Sequence, residues 1–310
     1  MKVHRGQVNF SIKNPVVAIG MFDGIHRGHK QIIERTTQLA YEIKGESVIM
    51  SFEPHPRLFF SPHPATIKFL TSVDEKISLL EENGIDHFIL YPFTHEFSAM
   101  SSCEFIESVL VQKIGIRFLV AGYNHHFGRN REGTFQDIID CAAKFRFGVE
   151  KLSAFLYLGK EISSSLIRKT IENNDIKTAN QYLGYNYQLT GSVVKGNGIG
   201  RTINFPTANI IPDDPQKLVP PNGVYAVRVI TGGKEHNGLL NIGTRPTINN
   251  LIDQTSVEVH IIDFNNDIYN ESITVNFINK IREEKKFDGL VELKHQIKAD
   301  LETANNNYFL

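Results

Sequence analysis

Four apolar residues, Val16-Val17-Ala18-Ile19, run straight into Gly20-Met21-Phe22-Asp23-Gly24-Ile25-His26-Arg27-Gly28-His29, and a stretch of helical period follows at once. A buried strand that breaks into a glycine-rich turn and feeds a helix opens a strand-helix-strand unit, which commits the amino-terminal part of the chain to an α/β architecture. In that arrangement the unpaired N–H groups of the first helical turn and the positive end of the helix dipole converge on one spot, which attracts phosphate. His26 and His29, three residues apart at the mouth of the helix, add side-chain donors that the dipole is expected to keep neutral. The turn as a whole, with Gly20, Phe22, Asp23, Gly24 and Gly28, points to a nucleoside triphosphate.

The first half of the chain repeats the strand-helix alternation. Val16 to Ile19, Val48 to Phe52, His87 to Tyr91 and Phe118 to Ala121 are short apolar runs separated by stretches of helical period. Ile32, Ile33, Thr36, Leu39, Ala40 and Ile43 form one stripe, and Ser72 with Glu75, and Ser101 with Glu104, have capping-box spacing. The helix that Ser72 opens is expected to stop at Asn83-Gly84. Repeated units of this kind predict a parallel, doubly wound sheet with ligands bound beyond the carboxyl ends of its strands.

Near Gly184 the pattern changes. Tyr187 to Val194, Val224 to Ile230, Val257 to Ile262 and Ile273 to Ile278 are rich in β-branched and aromatic residues and are separated by Gly, Pro and Asn turns. They predict a small all-β barrel, so the chain divides into domains at 1–184 and 185–310. Leu290, Leu293, Ile297 and Leu301 share one helical face that should pack on the barrel, and Thr303 to Leu310, with three consecutive asparagines, is expected to fray.

Charge narrows the partners. With 33 basic and 34 acidic residues the formal net charge is -1, so no global field draws the chain onto nucleic acid or an anionic membrane, and any anion site must be local. No apolar run approaches the ~20 residues that a bilayer crossing needs, and the first residues carry His4, Arg5 and Gln7 instead of an apolar core. Cys103 and Cys141 lack the spacing of a zinc site or a redox pair and read as two isolated, core-packing thiols of a reducing compartment. The expectation is a soluble, cytoplasmic protein.

Three further segments of the first domain carry polar chemistry. Phe52-Glu53-Pro54-His55-Pro56 follows the second strand, with two prolines that stiffen the loop around His55. Gly122-Tyr123-Asn124-His125-His126-Phe127-Gly128 follows the fourth, with Arg129 and Arg131 beyond it. In Ser163-Ser164-Ser165-Leu166-Ile167-Arg168, serines open a helix and an arginine lies one turn in, a set suited to polyphosphate. Gly20-x-Phe22-Asp23-Gly24-x-His26-x-Gly28-His29 resembles the signature of the nucleotidyltransferase superfamily with a His-x-Gly-His turn, in the form found in bacterial FAD synthetases. With Pro54-His55-Pro56, the Gly-x-Asn-x-x-Phe-Gly segment and Ser164-Ser165-x-x-Arg168, the chain is similar to the bifunctional riboflavin kinase/FMN adenylyltransferase family over nearly its whole length. The resemblance implies a Rossmann-like adenylyltransferase domain in which a phosphate oxygen of FMN attacks the α-phosphorus of ATP. It implies that His26, His29 and Arg168 act on the phosphates and transition state, that Gly20, Phe22, Asp23, Gly24, Gly28, Ser164 and Ser165 bind ATP, and that His55, Pro56 and Asn124 face the flavin.

The second domain carries its own motifs. Lys195-Gly196-Asn197-Gly198-Ile199-Gly200-Arg201 runs into Phe205-Pro206-Thr207-Ala208-Asn209, and Asn241-Ile242-Gly243-Thr244-Arg245-Pro246-Thr247, Glu258-x-His260-x-x-Asp263 and Arg282-x-Glu284-x-Lys286-Phe287 follow. A glycine-dense loop can wrap phosphates with its backbone, although alone it reads more readily as a plain hairpin loop. All these segments resemble motifs of the riboflavin kinase barrel. The resemblance implies a six-stranded Greek-key barrel in which Glu258 is the catalytic carboxylate and Gly196, Gly198, Gly200 and Arg201 bind ATP. By the same resemblance Thr207 and Asn209 hold nucleotide and Mg2+, and Arg282 is a flavin-side or nucleotide-side contact. Pattern alone places Glu258 on the outward face of its strand, between Val257 and Val259. Asn204 and Asn270 stand where the family carries glycine, at turns that need positive φ. The implied activity is phosphorylation of riboflavin to FMN, then adenylylation of FMN to FAD. A single working module, and a flavin- or nucleotide-binding regulator, are the open alternatives.

Overall fold

The computed structural model describes residues 1–6, 10–123, 128, 132–196, 198–245 and 254–309. They fall into two compact units, Met1–Ser164 and Ser165–Leu310.

The first unit is built on a six-stranded parallel sheet. Its strands are β1 (Lys2–Arg5), β2 (Val16–Ile19), β3 (Ser47–Glu53), β4 (His87–Pro92), β5 (Phe118–Ala121) and β6 (Gly148–Lys151), in the order β1-β4-β3-β2-β5-β6. β2 is the first strand of the doubly wound core, and the chain returns to its other side at β5, so the gap beyond β2 and β5 is the topological switch point where such sheets bind ligands. The four apolar runs read from the sequence are the four central strands. The two edge strands escape that reading because Lys2-Val3-His4-Arg5 and Gly148-Val149-Glu150-Lys151 are not buried on both faces and need no apolar run.

Around the sheet lie α1 (Arg27–Glu42), the short α2 (Pro56–Phe60), α3 (Val73–Glu82), α4 (His95–Ala99), α5 (Ser102–Phe105), which continues into a π-helical stretch Ile106–Ile114, and α6 (Phe135–Phe145). α1 buries Ile33, Thr36, Leu39 and Ala40, the predicted stripe. Both predicted capping boxes form, α3 ends at Asn83, and Thr134 with Asp137 makes a third box. A two-stranded hairpin, β7 (Leu156–Tyr157) and β8 (Lys160–Glu161), precedes α7 (Ser164–Glu172).

The second unit is a closed antiparallel barrel. After α8 (Ile176–Leu183) come β9 (Gln188–Val194), α9 (Ile199–Thr202), β10 (Ala208–Pro212), β11 (Gly223–Thr231), β12 (Lys234–Arg245), β13 (Gln254–Ile261), β14 (Ser272–Arg282) and α10 (Leu290–Asn307). The barrel closes as β10-β13-β12-β11-β14-β9. β11, β12 and β13 form a meander and β14 returns beside β11, which is a Greek key. Tyr225, Val227, Val229, Leu240, Val257, Val259, Val275 and Phe277 fill its interior, whereas Val224, Ala226 and Leu239 face α10. The expected domain division at 184 follows the change in sequence pattern. Contacts instead group α8 with the barrel, because the Asn180 side chain donates to the Phe277 carbonyl (2.8 Å) and accepts from the Tyr187 N–H (2.8 Å).

The expectation for the carboxyl-terminal segment is corrected. Residues 303–309 do not fray: α10 runs to Asn307, Ala304 is fully buried, and the Tyr308 hydroxyl accepts from the Asn279 side chain at 3.0 Å. Burial of Ala304 and the aromatic pair Tyr308 and Phe309 against Val224, Ala226 and Leu239 outweighs the poor helix propensity of the asparagines. Arg282, named above as a flavin-side or nucleotide-side contact, pairs with Asp300 on α10. Its Nε lies 2.9 and 3.0 Å from the two Asp300 carboxylate oxygens, its Nη2 2.8 Å from one of them, and its Nη1 donates to the Glu283 carbonyl.

The Asp300 side chain is 4% exposed and that of Arg282 17%, so removing one partner strands a charge in a largely desolvated site. Asp300→Ala is therefore expected to lower barrel stability by about 3 kcal/mol in urea denaturation, and Asp300→Leu with Arg282→Met to recover most of the loss.

Candidate active sites

The turn after β2 is held in an uncommon backbone conformation. Phe22 (φ +48°), Gly24 (φ +84°) and Ile25 (φ +33°) all lie at positive φ, which a β-branched isoleucine tolerates only under constraint. The constraint comes from a segment some fifty residues away. Asp23, 5% exposed, accepts from the Leu70 N–H (2.8 Å) and the Thr71 N–H (3.1 Å), and the Gly24 N–H donates to the Thr71 hydroxyl (3.0 Å). The Lys76 ammonium, carried inward by α3, donates to the Met21 carbonyl at 2.8 Å. From the other side the Ser164 hydroxyl donates to the Asp23 carbonyl (2.8 Å), and the Gly20 N–H pairs with the Met50 carbonyl (3.0 Å).

This frame presents two stacked imidazoles. His26 caps α1, its Nδ1 accepting from the His29 N–H at 3.4 Å, and the two rings lie 3.7 Å apart and 18° from parallel. Gly28 is what lets the His26 ring fold back over the helix end: a Cβ there would sit 3.3 Å from the ring and 3.6 Å from Phe155. Burial pulls the His26 imidazole down from 6.5 to about 4. It pulls His29 well below its ordinary value as well, with the neighbouring His26 and the Lys76 charge adding to the effect. The rings are neutral as the sequence predicts, but desolvation is the principal cause and the helix dipole is not needed for it. With Nδ1 of His26 accepting, its neutral ring carries the proton on Nε2 and offers it as a donor. His29 Nδ1 is buried and has no protein partner.

The other first-domain candidates fall as follows. His55 caps α2, with Nδ1 accepting from the Arg57 N–H (3.0 Å) and its ring stacked on Phe69 at 4.4 Å, and Pro56 is the first residue of that helix. Ser165 accepts from the Arg168 guanidinium at 3.1 Å. Asn124, His125, His126, Arg129 and Arg131 lie outside the described residues. Two features escaped the sequence reading. One is the Leu70-Thr71 and Lys76 clasp, whose signal was a lysine at a core position of α3. The other is an aromatic shelf beyond the carboxyl ends of β3 and β4, where Phe52, Phe59, Phe93 and Phe97 meet at centroid distances of 5.2 to 6.0 Å.

In the barrel the site lies on the outer face. Val257, Val259 and Ile261 point inward, and Glu258 and His260 point away from the core. The outward face is covered by the segment that follows β9. The Thr207 hydroxyl donates to Glu258 at 3.3 Å and His260 Nδ1 pairs with the Pro206 carbonyl at 2.8 Å. Glu258 is flanked in register by Asn209 on β10 and Asn241 on β12, so three polar side chains align across three strands. Gly196 abuts the Asn209 side chain and Gly200 abuts the Phe205 carbonyl, positions where any Cβ would collide. Gly198 precedes α9, and Arg201 on that turn packs over Tyr269 and donates to its hydroxyl at 3.2 Å. Asn204 and Asn270 both take φ +64°, the conformation that glycine would adopt, so both turns form.

Residues 10–166 match the model of the FAD synthetase family, and residues 183–308 match that of riboflavin kinase. The chain belongs to the bifunctional riboflavin kinase/FMN adenylyltransferase family. It is 37% identical to the bifunctional riboflavin kinase/FMN adenylyltransferase of Haemophilus influenzae over 98% of each chain. It is 36% identical to that of Bacillus subtilis over 93% of this chain and 91% of the relative. A crystal structure of a Streptococcus pneumoniae protein named for macrolide efflux superposes with a TM-score of 0.89 at 29% identity, covering 99% of each chain. Among the described residues no helix is long and apolar enough to cross a membrane.

The lowered His26 value makes the first unit acid-sensitive. The unfolded imidazole binds its proton near pH 6.5 and the folded one only near 4, so stability present above 6.5 is lost as the pH falls through that window. The unfolding free energy of the first-unit transition, from urea titrations, should therefore drop between pH 6.5 and 4, by about 3 kcal/mol in wild type and by less in His26→Gln.

Proposed function

We propose that the chain catalyses both reactions of its family: phosphorylation of riboflavin to FMN by the barrel, then adenylylation of FMN to FAD by the parallel-sheet domain, with ATP as co-substrate of each step. The family matches over 10–166 and 183–308 support domains of 1–184 and 185–310 for the two activities.

The observation that carries the adenylyltransferase reading is the stacked, neutral His26–His29 pair at the opening of α1, at the switch point of the sheet, with His29 Nδ1 still without a protein partner. The nucleophile, a phosphate oxygen of FMN, is already anionic and needs no general base. The site must relieve repulsion between two anions and stabilise charge on the α-phosphoryl oxygens as pyrophosphate departs. Neutral imidazole donors and the N–H groups of the α1 opening suit that task, and the anion's arrival favours protonation of the rings as charge develops. Gly20, Phe22, Asp23, Gly24 and Gly28 shape the nucleotide cradle, and Ser164, Ser165 and Arg168 are the candidates for the phosphate tail. The aromatic shelf, with His55 and Pro56, suits a flat ring system such as the flavin, and Asn124 is assigned to the flavin phosphate on the family resemblance.

In the kinase the ribityl hydroxyl must lose its proton as it attacks the γ-phosphorus, and Glu258 is the base. Gly196, Gly198, Gly200 and Arg201 belong to the loop that holds ATP. Thr207 Oγ1 and Asn209 Oδ1, beside the Glu258 carboxylate, are hard oxygen donors of the kind Mg2+ accepts, and they fit that ion. When bound, the cation would neutralise charge on the transferring phosphates. A cytoplasmic location is in keeping with a sequence that carries only two cysteines.

Flavins resolved by chromatography after incubation with riboflavin and MgATP test the assignment. Glu258→Gln should abolish FMN formation from riboflavin and leave FMN-to-FAD conversion within twofold of wild type, about. His29→Ala should reduce FAD formation about a hundredfold and leave FMN formation unchanged. Equal damage to both steps by either change would refute the division of labour.

A further inference from the structure

The two cysteines that the sequence places 38 residues apart meet in the fold. Cys103, on the first turn of α5, is exposed, and Cys141, in the middle of α6, is 3% exposed, and their sulfur atoms lie 2.6 Å apart with both thiols free. The expectation of two isolated thiols is therefore corrected: helix packing, which spacing does not encode, makes them a pair. Capping boxes fix both helix openings, Ser101 with Glu104 on α5 and Thr134 with Asp137 on α6, so the sulfurs are brought together by rigid elements rather than by a loop. Neither step of the established chemistry uses them.

We propose that Cys103 and Cys141 form a modification site that a hydroperoxide converts to an intramolecular disulfide, clamping α5 to α6. The exposed sulfur reacts first. Cys103 attacks the outer peroxide oxygen, the O–O bond breaks, alcohol or water leaves, and Cys103 becomes a sulfenic acid. The Cys141 sulfur then attacks the Cys103 sulfur, the S–O bond breaks, and the oxygen leaves as water with the Cys141 proton. Two thiols are oxidised by two electrons in all, and one peroxide is reduced. Burial, and then the neighbouring Cys103, push the Cys141 thiol up to about 12, so it stays protonated and is the resolving partner and not the point of attack.

The bridge closes a loop that contains β5 and the segment 122–133. It also lies beside the residue on which Gly128 rests, since a Cβ at Gly128 would fall 2.8 Å from the Ser102 nitrogen. Removing conformational freedom from that loop in the open state should make local opening rarer throughout it.

The test uses the full-length protein, reduced, freed of thiol and treated with hydrogen peroxide. After denaturation and alkylation with N-ethylmaleimide, intact mass should show a monomer lighter by two hydrogens that takes up no label, against two labels before treatment, with full reversal by dithiothreitol. Cys141→Ser should halt at a Cys103 sulfenic acid trapped by dimedone, and Cys103→Ser should leave Cys141 unreacted. Peptide-resolved hydrogen exchange within 104–140 should slow by about tenfold or more in the bridged form. The proposal is overturned if both thiols still take label, if Cys103 passes to the sulfinic acid while Cys141 takes label, if the bridge forms between two chains, if Cys141 reacts as fast without Cys103, or if exchange is unchanged in a bridged monomer. Mass and exchange are read without substrates, so failure of the flavin assays would leave this result standing, and the reverse.

Discussion

The Asp23 carboxylate, closed over by the Leu70 and Thr71 N–H groups, is the interaction on which the adenylyltransferase site depends. Three residues of the turn hold positive φ, one of them Ile25, and an isolated peptide would not populate that shape. The buried carboxylate is matched by two backbone donors, and Lys76 anchors the preceding carbonyl, so relaxing the turn would leave polar groups unpaired in the interior. Strain in the backbone is thus balanced by a desolvated polar clasp. The same clasp fixes where α1 begins, and hence where its N–H groups and its two imidazoles point.

In the proposed mechanism the two sites solve opposite proton problems with correspondingly different surroundings. Burial pulls both His26 and His29 down and keeps their rings uncharged. Glu258 stands instead on the outer face of the barrel beside Thr207, in a half-buried polar row. An anionic nucleophile calls for donors, and a neutral hydroxyl calls for an acceptor. The chain supplies each on a separate scaffold, the first at a sheet's switch point and the second under a glycine-dense loop.

Much of this was legible in the sequence, for a reason that differs by element. The central strands β2, β3, β4 and β5 are buried on both faces and so spell apolar runs, whereas β1 and β6 are edges and spell nothing distinctive. The turn at 20–29, the helix caps at Ser72 and Ser101, and the separate motifs of Glu258 and Thr207 were readable because each is a local string. The Thr71–Gly24 bond, the Lys76 anchor, the Arg282–Asp300 ion pair and the Cys103–Cys141 contact were not, because each joins residues whose neighbourhood exists only after the helices have packed. Arg282 shows what a motif leaves out: its partner Asp300 is on α10, beyond the motif's end. The asparagines at 303–307 show the same limit for propensity, since burial of Ala304 and Tyr308 decides the helix end.

The central claim is that His26 and His29 wait uncharged for a triphosphate, and side-chain NMR of imidazole-labelled protein measures it directly. At pH 6 the free protein should show both rings neutral, with His26 protonated on Nε2, and addition of a non-hydrolysable ATP analogue should shift the ring nitrogen signals of both residues. Imidazolium signals from this pair at pH 6 in the free protein, or neutral signals that the nucleotide leaves unmoved, would contradict the account.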